Sequence, residues 1–501
     1  MANNTVENTI EFAGDYDCKH IFLHTHYNDP EKGIDIMQMV DELNIYESIY
    51  KNALTGSIVI TDAQNLISKL EIQGIERISF VIKTPGAQGD RDIINASVES
   101  GHPFHIYKIT NRVQTAPGTL RYTLHFGSRE FMRNIRTKVS QAYDGRLDRA
   151  VYAMFLDENY LDSRKTLTFE PCGNSDKITI PNMRPFDAIN MIAKKSLPEK
   201  SNGVGYYFYE TTKGYHFRSW ENMCVSQGRN KRKTKQVFYY APINIKDDPA
   251  IDNKIEYDYK LVDSYEFINN VHDTAANTAL GTYGHRVISY NFYDKSFTEN
   301  DYNYHSQFAI TRHTDGSTSQ FDKEKFAVSE SNVDERVANE RTQTSKVSDY
   351  PESRVSLQAT TQFTHNEETG AYGIDVLEDG RKLGQAISQK QQVLQGTALK
   401  LVIKGQSYIE AGDVIEFKMR AIDEKNVDGA EDPQFSGRYV ITKVRHQINP
   451  TKYVMILECA KDSVKMGYRR SYKKIQQNKN IPTLRDAYQV EKGDPYGLTM
   501  V

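Results

Sequence analysis

TALKLVIKG, Thr397 to Gly405, alternates apolar and polar residues so regularly that Leu399, Leu401 and Ile403 share one face of an extended strand. YIEAGD, Tyr408 to Asp413, is turn chemistry, and VIEFKM then sets Ile415, Phe417 and Met419 against Glu416 and Lys418. Past the polar loop DEKNVDGAEDPQFSG come RYVITKVRHQI and, after Asn449 and Pro450, KYVMILECA. Four strands within residues 397 to 460 predict an antiparallel sheet able to close as a small barrel.

Working outward, residues 1–127 also read as mostly β. Ile78, Phe80 and Ile82 alternate over one run, Tyr122, Leu124 and Phe126 over another, and PGAQGD, Pro85 to Asp90, is a turn between them. Residues 128–245 read as an α+β module. Ser128 is placed to cap a helix in which Phe131, Ile135, Val139 and Tyr143 recur at helical spacing, with Gly145 as its stop. KITIP, Lys177 to Pro181, predicts a strand, and Phe186, Ile189 and Ile192 one helical face with Lys194 and Lys195 near its negative end. Gly203 to Trp220 reads as a hairpin turning at Thr211 to Gly214. Residues 246–300 predict a strand, a helix over Tyr265 to Ala275 and a strand over His285 to Phe292. Residues 301–373 read as a polar excursion that orders only against a neighbour, 374–396 as a helix and 463–501 as an extended tail containing RRSYKK. The fold class predicted is α+β, mainly antiparallel β.

The 501 residues correspond to about three domains. With 63 Lys+Arg against 66 Asp+Glu the net charge is -3, which excludes a protein that coats nucleic acid through phosphate contacts. A hydrophobic share of 38% and a mean hydropathy of -0.64 leave much of the chain to meet solvent, partner subunits or a wet channel. The 32 tyrosines beside one tryptophan suit interfaces. Cys18, Cys172, Cys224 and Cys459 form no CxxC pair, MANNTVENTI is not a secretory signal, and no apolar run approaches the ~20 residues of a spanning helix. A soluble chain made in a reducing cytosol, with no stable membrane insertion, is expected.

The block GQSYIEAGDVI, Gly405 to Ile415, followed by SGRYVITKVRH, Ser436 to His446, and KYVMILE, Lys452 to Glu458, resembles the C-terminal tube-type domain of baseplate hub proteins of contractile-tailed, T-even-type phages. Ile34 to Pro85 and His105 to Glu130 are similar to the first tube-type domain of those hubs, and Ile255 to Phe297 to the stretch between. The excursion and the tail depart from the family's pattern. The resemblance implies two tail-tube-type β-barrel domains, completed at 397–462 with a contribution from 246–300, and an outer α+β module with long loop insertions. It implies a homotrimer whose six similar barrels match a threefold spike to a sixfold tube. It further implies a tail spike protein, a tail tube or tube-initiator protein and baseplate wedge proteins as partners, and a lumen through which genome DNA passes without specific binding. Localisation would be the virion tail baseplate, after assembly in the host cytoplasm.

Chemical candidates are few. Cys18, His20, His24 and His26 have even spacing, which on one strand would set them along one face, but eight residues of extended chain span ~26 Å. One flat strand cannot gather them round an ion. Ser128 reads as a cap rather than a nucleophile, and no GxSxG, Walker A or Rossmann pattern occurs. The acid pairs Glu71/Glu76 and Asp428/Glu431/Asp432 and the basic run Arg229 to Lys235 read as solvated loops. No catalytic, cofactor-binding or metal residue is assigned, no cofactor is expected, and a structural protein rather than an enzyme is anticipated. The alternatives are the hub of a related contractile injection or type VI-like system, a cell-wall hydrolase and a receptor-binding tail protein.

Overall fold

The computed structural model of the chain describes residues 12–26, 33–85, 93–225, 234–240, 254–269, 273–291, 297–308, 310–315, 347–360, 396–419 and 434–464, with a few short stretches beside them. The N-terminal unit comprises β1 (Ile21–His24), β2 (Ile34–Asp35), β3 (Val40–Ser48), β4 (Thr55–Asp62), β5 (Arg77–Lys83), β6 (Ile93–Asn95), β7 (Phe104–Ala116) and β8 (Thr119–Gly127), with α1 (Leu66–Lys69) between β4 and β5. Its strands run β3-β4-β8-β7-β5-β1-β2, each pair antiparallel. β2 leads through one 3-10 turn at Met37–Met39 straight into β3, so the chain itself joins the last strand of this circuit to the first. Leu23, Ile45, Ile58, Phe80, Leu124 and Phe126 fill it. Gly56 on β4 has no room for a side chain: a Cβ there would lie 2.3 Å from the Phe126 ring and 2.4 Å from the Asn44 carbonyl.

The outer module follows as α2 (Arg129–Arg136), β9 (Val139–Arg146), α3 (Leu147–Leu156), β10 (Leu167–Phe169), β11 (Ser175–Met183), α4 (Pro185–Lys195), β12 (Tyr206–Thr211), β13 (Gly214–Ser219) and α5 (Trp220–Cys224). It has its own core, in which Val151, Phe155 and Ile189 pack against Phe208 and Phe217. The hairpin expected at Thr211 to Gly214 is there, and Thr211 pairs with Gly214. The helix expected to continue to Gly145 stops at Arg136; Val139 and Tyr143 instead lie on β9, paired with β11. Their recurrence at helical spacing gave way to a sheet partner and to the β preference of Val and Tyr.

The rest of the chain comprises β14 (Gln236–Tyr240), α6 (Lys254–Lys260), β15 (Val262–Asn269), α7 (Thr274–Ala279), β16 (Gly284–Asn291), β17 (Phe297–Asn303), α8 (Tyr304–Phe308), β18 (Val355–Thr360), the two-residue strands β19 (Thr364–His365) and β20 (Tyr372–Gly373), β21 (Thr397–Lys404), β22 (Val414–Met419), β23 (Gly437–Asn449) and β24 (Lys452–Lys461). The second barrel runs β15-β21-β24-β23-β22-β14. A bridge between Tyr239 and Leu261 and the Tyr240–Tyr265 ring contact at 4.5 Å bring β14 back to β15.

Three expectations change. Tyr265 lies on a strand rather than a helix, since Tyr265 and Phe267 alternate into the barrel opposite β21; the helix is the short α7, and the strand expected before it is α6. Of the 246–300 segment β15 enters the barrel, whereas β16 joins β17 and β18 in a separate three-stranded sheet. The excursion is therefore partly ordered by its own chain, β18 running parallel to β16 and β17 antiparallel to it. Residues 316–346, most of the helix expected over 374–396 and most of the 463–501 tail lie outside the described residues.

The two barrels are one design used twice. β3-β4-β8-β7 and β15-β21-β24-β23 stand in the same order with the same antiparallel pairing. Leu43–Ile58–Leu124–Ile109 is a rung across the first, and Tyr265–Leu401–Leu457–Val444 the corresponding rung across the second. In each, the 13-residue strand that opens the last hairpin is also paired near its start, β7 by β5 and β23 by β22. Beyond that point β23 pairs with β3, so both units belong to one 14-stranded sheet.

Candidate functional site

The functional features form around the β3–β23 seam, where Lys443 to Ile448 face Ser48 back to Leu43. Val444, His446 and Ile448 point into the cores. The opposite face is polar and continuous across both barrels. Glu266, Lys400, Glu458 and Lys443 lie on successive strands as a ladder of alternating charge, with contacts of 3.2 Å for Lys400–Glu266 and 2.6 Å for Lys443–Glu458. At the seam Arg445 reaches Glu42 at 3.0 Å and Asn44 at 2.9 Å while lying over the Tyr46 ring. Further along, Arg121 meets Asp41 at 3.0 Å and Thr110 hydrogen-bonds His125. This face, balanced in sign and solvent-accessible, suits a wet wall.

The other face of the seam is covered by the outer module. Glu47, 1% exposed, accepts the Thr212 N–H from the β12–β13 turn with one oxygen and the Ala411 N–H from the second barrel with the other, each at 2.8 Å. One carboxylate therefore joins three bodies. His446 lies 3.5 Å from it and hydrogen-bonds Tyr453 Oη. Beside it the Thr211 hydroxyl donates to Glu410 at 2.7 Å, and His216 lies 3.7 Å from the same carboxylate. Burial opposes ionisation of Glu410, yet His216, Thr211 and Arg218 bring it down to about 2. Burial and the Glu410 charge push neighbouring Asp413 up to about 7. Gly412 between them has φ +88, and a Cβ there would sit 2.1 Å from Tyr209 Oη.

A second buried lock lies deeper. The Lys165 ammonium bonds Glu130 of α2 and Glu210 of β12, and Glu210 also accepts the Leu54 N–H between β3 and β4 at 2.8 Å. Burial raises the Glu210 carboxyl, whereas Lys165 and Ser163 hold Glu130 low against the same penalty. A third ties the excursion to the end of β24: Asp462 bonds His313, Thr314 and the Trp220 indole. Although burial works against it, Asp462 raises the His313 imidazole, which favours an ion pair.

The residues singled out from sequence are not brought together. β1 spans only Ile21 to His24, so Cys18, His20 and His26 lie outside it. His20 is exposed and meets Asp35 at 2.7 Å, while His24 is buried and hydrogen-bonds Ser79. Cys18 Sγ donates to the His20 carbonyl, and His26 is exposed past the strand end. Among the described residues no three His, Cys, Asp or Glu side chains converge to hold a metal. Ser128 stands at the N-cap position of α2, yet its hydroxyl makes no capping bond. Glu76 is not a solvated loop acid: it is 3% exposed and accepts the N–H groups of Gln73, Gly74 and Ile75. Glu71 is exposed at positive φ, Glu431 pairs with Lys418 and Asp432 caps a turn through Gln434 and Phe435; Asp428 lies outside the described residues. Of Arg229 to Lys235, only Lys235 and Thr234 are described, and the Lys235 ammonium lies over the Tyr408 ring. All four cysteines are free thiols. No described helix is long and apolar enough to cross a membrane. The junction acids Glu47, Glu210 and Glu410 were missed, because an acid in a strand gives no sign that a distant turn will cover it.

No protein-family model matches the sequence, and neither does any curated protein. Among solved structures the chain is similar to a tail protein from Neisseria meningitidis MC58, at 9% identity over 90% of this chain and 97% of that one with a TM-score of 0.46. It is similar to the 43 kDa tail protein of prophage MuSo2 from Shewanella oneidensis, at 9% identity over 89% and 99% with a TM-score of 0.47. It is also similar to an E. coli component of the type VI secretion system, at 8% identity over 86% and 76% with a TM-score of 0.39.

Proposed function

We propose that this chain is the structural hub of a contractile phage tail: three copies form a ring of six similar barrels that adapts a threefold spike to a sixfold tube. The observation that carries this reading is the repeat of β3-β4-β8-β7 by β15-β21-β24-β23 within one sheet. A chain holding two equivalent units turns a threefold ring into a pseudo-sixfold one, which is what joining those symmetries requires. The segments that resemble hub sequences, Ile34 to Pro85, His105 to Glu130, Ile255 to Phe297, Gly405 to Ile415, Ser436 to His446 and Lys452 to Glu458, contribute strands to both barrels and to the seam. In this reading the polar face with its alternating charges lines the channel through which DNA passes, and its balance of sign keeps DNA from being held. The outer module faces the surrounding baseplate components, and the work is burial of interfaces rather than bond making. The test is electron microscopy and mass measurement of the purified chain with its candidate spike. Threefold rings with six inner lobes and an open channel are expected; compact particles without a hole beside a folded spike would overturn it.

A further inference from the structure

The repeat leaves two strand edges without a counterpart. In the second barrel the distal half of β23 is occupied on one edge by β24 and on the other by β3. Its equivalent in the first barrel, β7 from Tyr107 to Ala116, pairs with β8 on one edge, and among the described residues no strand covers the other. Likewise β3 is paired on both edges, by β4 and β23, whereas its equivalent β15 is paired by β21 on one edge and, among the described residues, meets β14 on the other only through the Leu261 bridge and the Tyr240–Tyr265 ring contact, with no strand paired along it. An unpaired edge this long, ten residues on β7, is an invitation to pairing.

We infer that the β7 edge of one copy pairs antiparallel with the β15 edge of the next, repeating between chains the β23–β3 seam found within each. This rests on the ring reading above and specifies its interface. Charge agrees: Tyr107 to Ala116 carries Lys108 and Arg112 and no acid, while β15 carries Asp263 and Glu266 and no base, the two acids also meeting Lys404 and Lys400 of β21 in their own chain. Burial agrees as well, since each free edge exposes a β-branched apolar residue, Val113 at 58% and Ile268 at 45%. The register follows by correspondence. Gln447 pairs with Val454, the third residue of β24, as Val113 pairs with Arg121, the third of β8; Gln447 also faces Asn44, whose equivalent is Glu266. Val113 of one copy is therefore set opposite Glu266 of the next, and by the same reasoning, allowing for the bulge between Phe267 and Asn269, Thr110 opposite Asn269. The contact is heterologous, so it propagates in one direction and closes as a ring when the rotation between copies is threefold.

The test mixes full-length Val113→Cys and Glu266→Cys chains under mild oxidation, with each single variant and the unmodified chain as controls for the native thiols. The expected result is a covalent species of two chains, formed in the mixture and lost in every control, and closed covalent trimers from the double variant. Assembled rings by mass and microscopy without this cross-link overturn the edge pairing while the ring reading stands. Chains that stay monomeric at all concentrations overturn the ring reading and this inference with it.

Discussion

Glu47 shows how much one side chain can decide. Its two oxygens accept backbone N–H groups from Thr212 and Ala411, which belong to different units. In Glu47→Gln one acceptor becomes an NH2 group that faces an N–H, and a buried unmet donor costs about 1–3 kcal/mol. Urea unfolding should show a loss of that size. At Gly56 the Asn44 carbonyl cannot yield as a side-chain end can, so Gly56→Ala is expected to destabilise the first barrel and lower soluble yield. Asp413 makes a pH prediction. Its carboxyl is raised by burial and by Glu410 from 3.8 to about 7, so between those values the folded chain holds a proton that the unfolded chain has released. The stability contributed is fully present below the lower value and is lost as pH rises through the upper one. Asp413→Asn should therefore flatten the fall in thermal midpoint between pH 4 and pH 7, as measured by circular dichroism.

Elements are joined here by polar locks as much as by apolar packing. Lys165 holds together α2, β12 and the β3–β4 connection through Glu130 and Glu210, both carboxylates being buried. Removing one partner of such a set leaves uncompensated buried charge, which costs about 3–5 kcal/mol. Lys165→Met is expected to destabilise by that much in urea, and adding Glu130→Gln and Glu210→Gln should recover part of the loss. Strand identity was legible where alternation was strict: β21 shows a perfect inside–outside pattern in both sequence and burial. It was illegible at Val139 and Tyr143, whose helical spacing was accidental, and at β17 and β18, whose side chains are too polar to announce a sheet that β16 completes.

Across the whole molecule, the outer module is less separate than its composition implies. Trp220, the single tryptophan, is fully buried in the core shared by the barrels, and its indole bonds Asp462 just past β24. A chain lacking residues 397–464 should therefore fail to form the proposed rings and also shift its tryptophan emission to the red, because the pocket of Trp220 leaves with the second barrel. If the proposed ring forms, its thermal midpoint should rise with protein concentration, since assembly binds only the folded chain. A midpoint independent of concentration in calorimetry would count against assembly.

The amino-acid order by itself determined β5, β8 and β21 to β24, the hairpin at Thr211 to Gly214 and the helix of Phe186 to Lys195, because each is written in periodicity or composition over a few neighbouring residues. Only the tertiary structure decided that β23 crosses to β3, that β15 and not β16 enters the second barrel, and that Glu47, Glu210 and Glu410 are buried at the junctions. The physical reason is separation along the chain. Pairing between residues some four hundred positions apart depends on which edges and turns meet once both barrels have closed, and no local pattern carries that information.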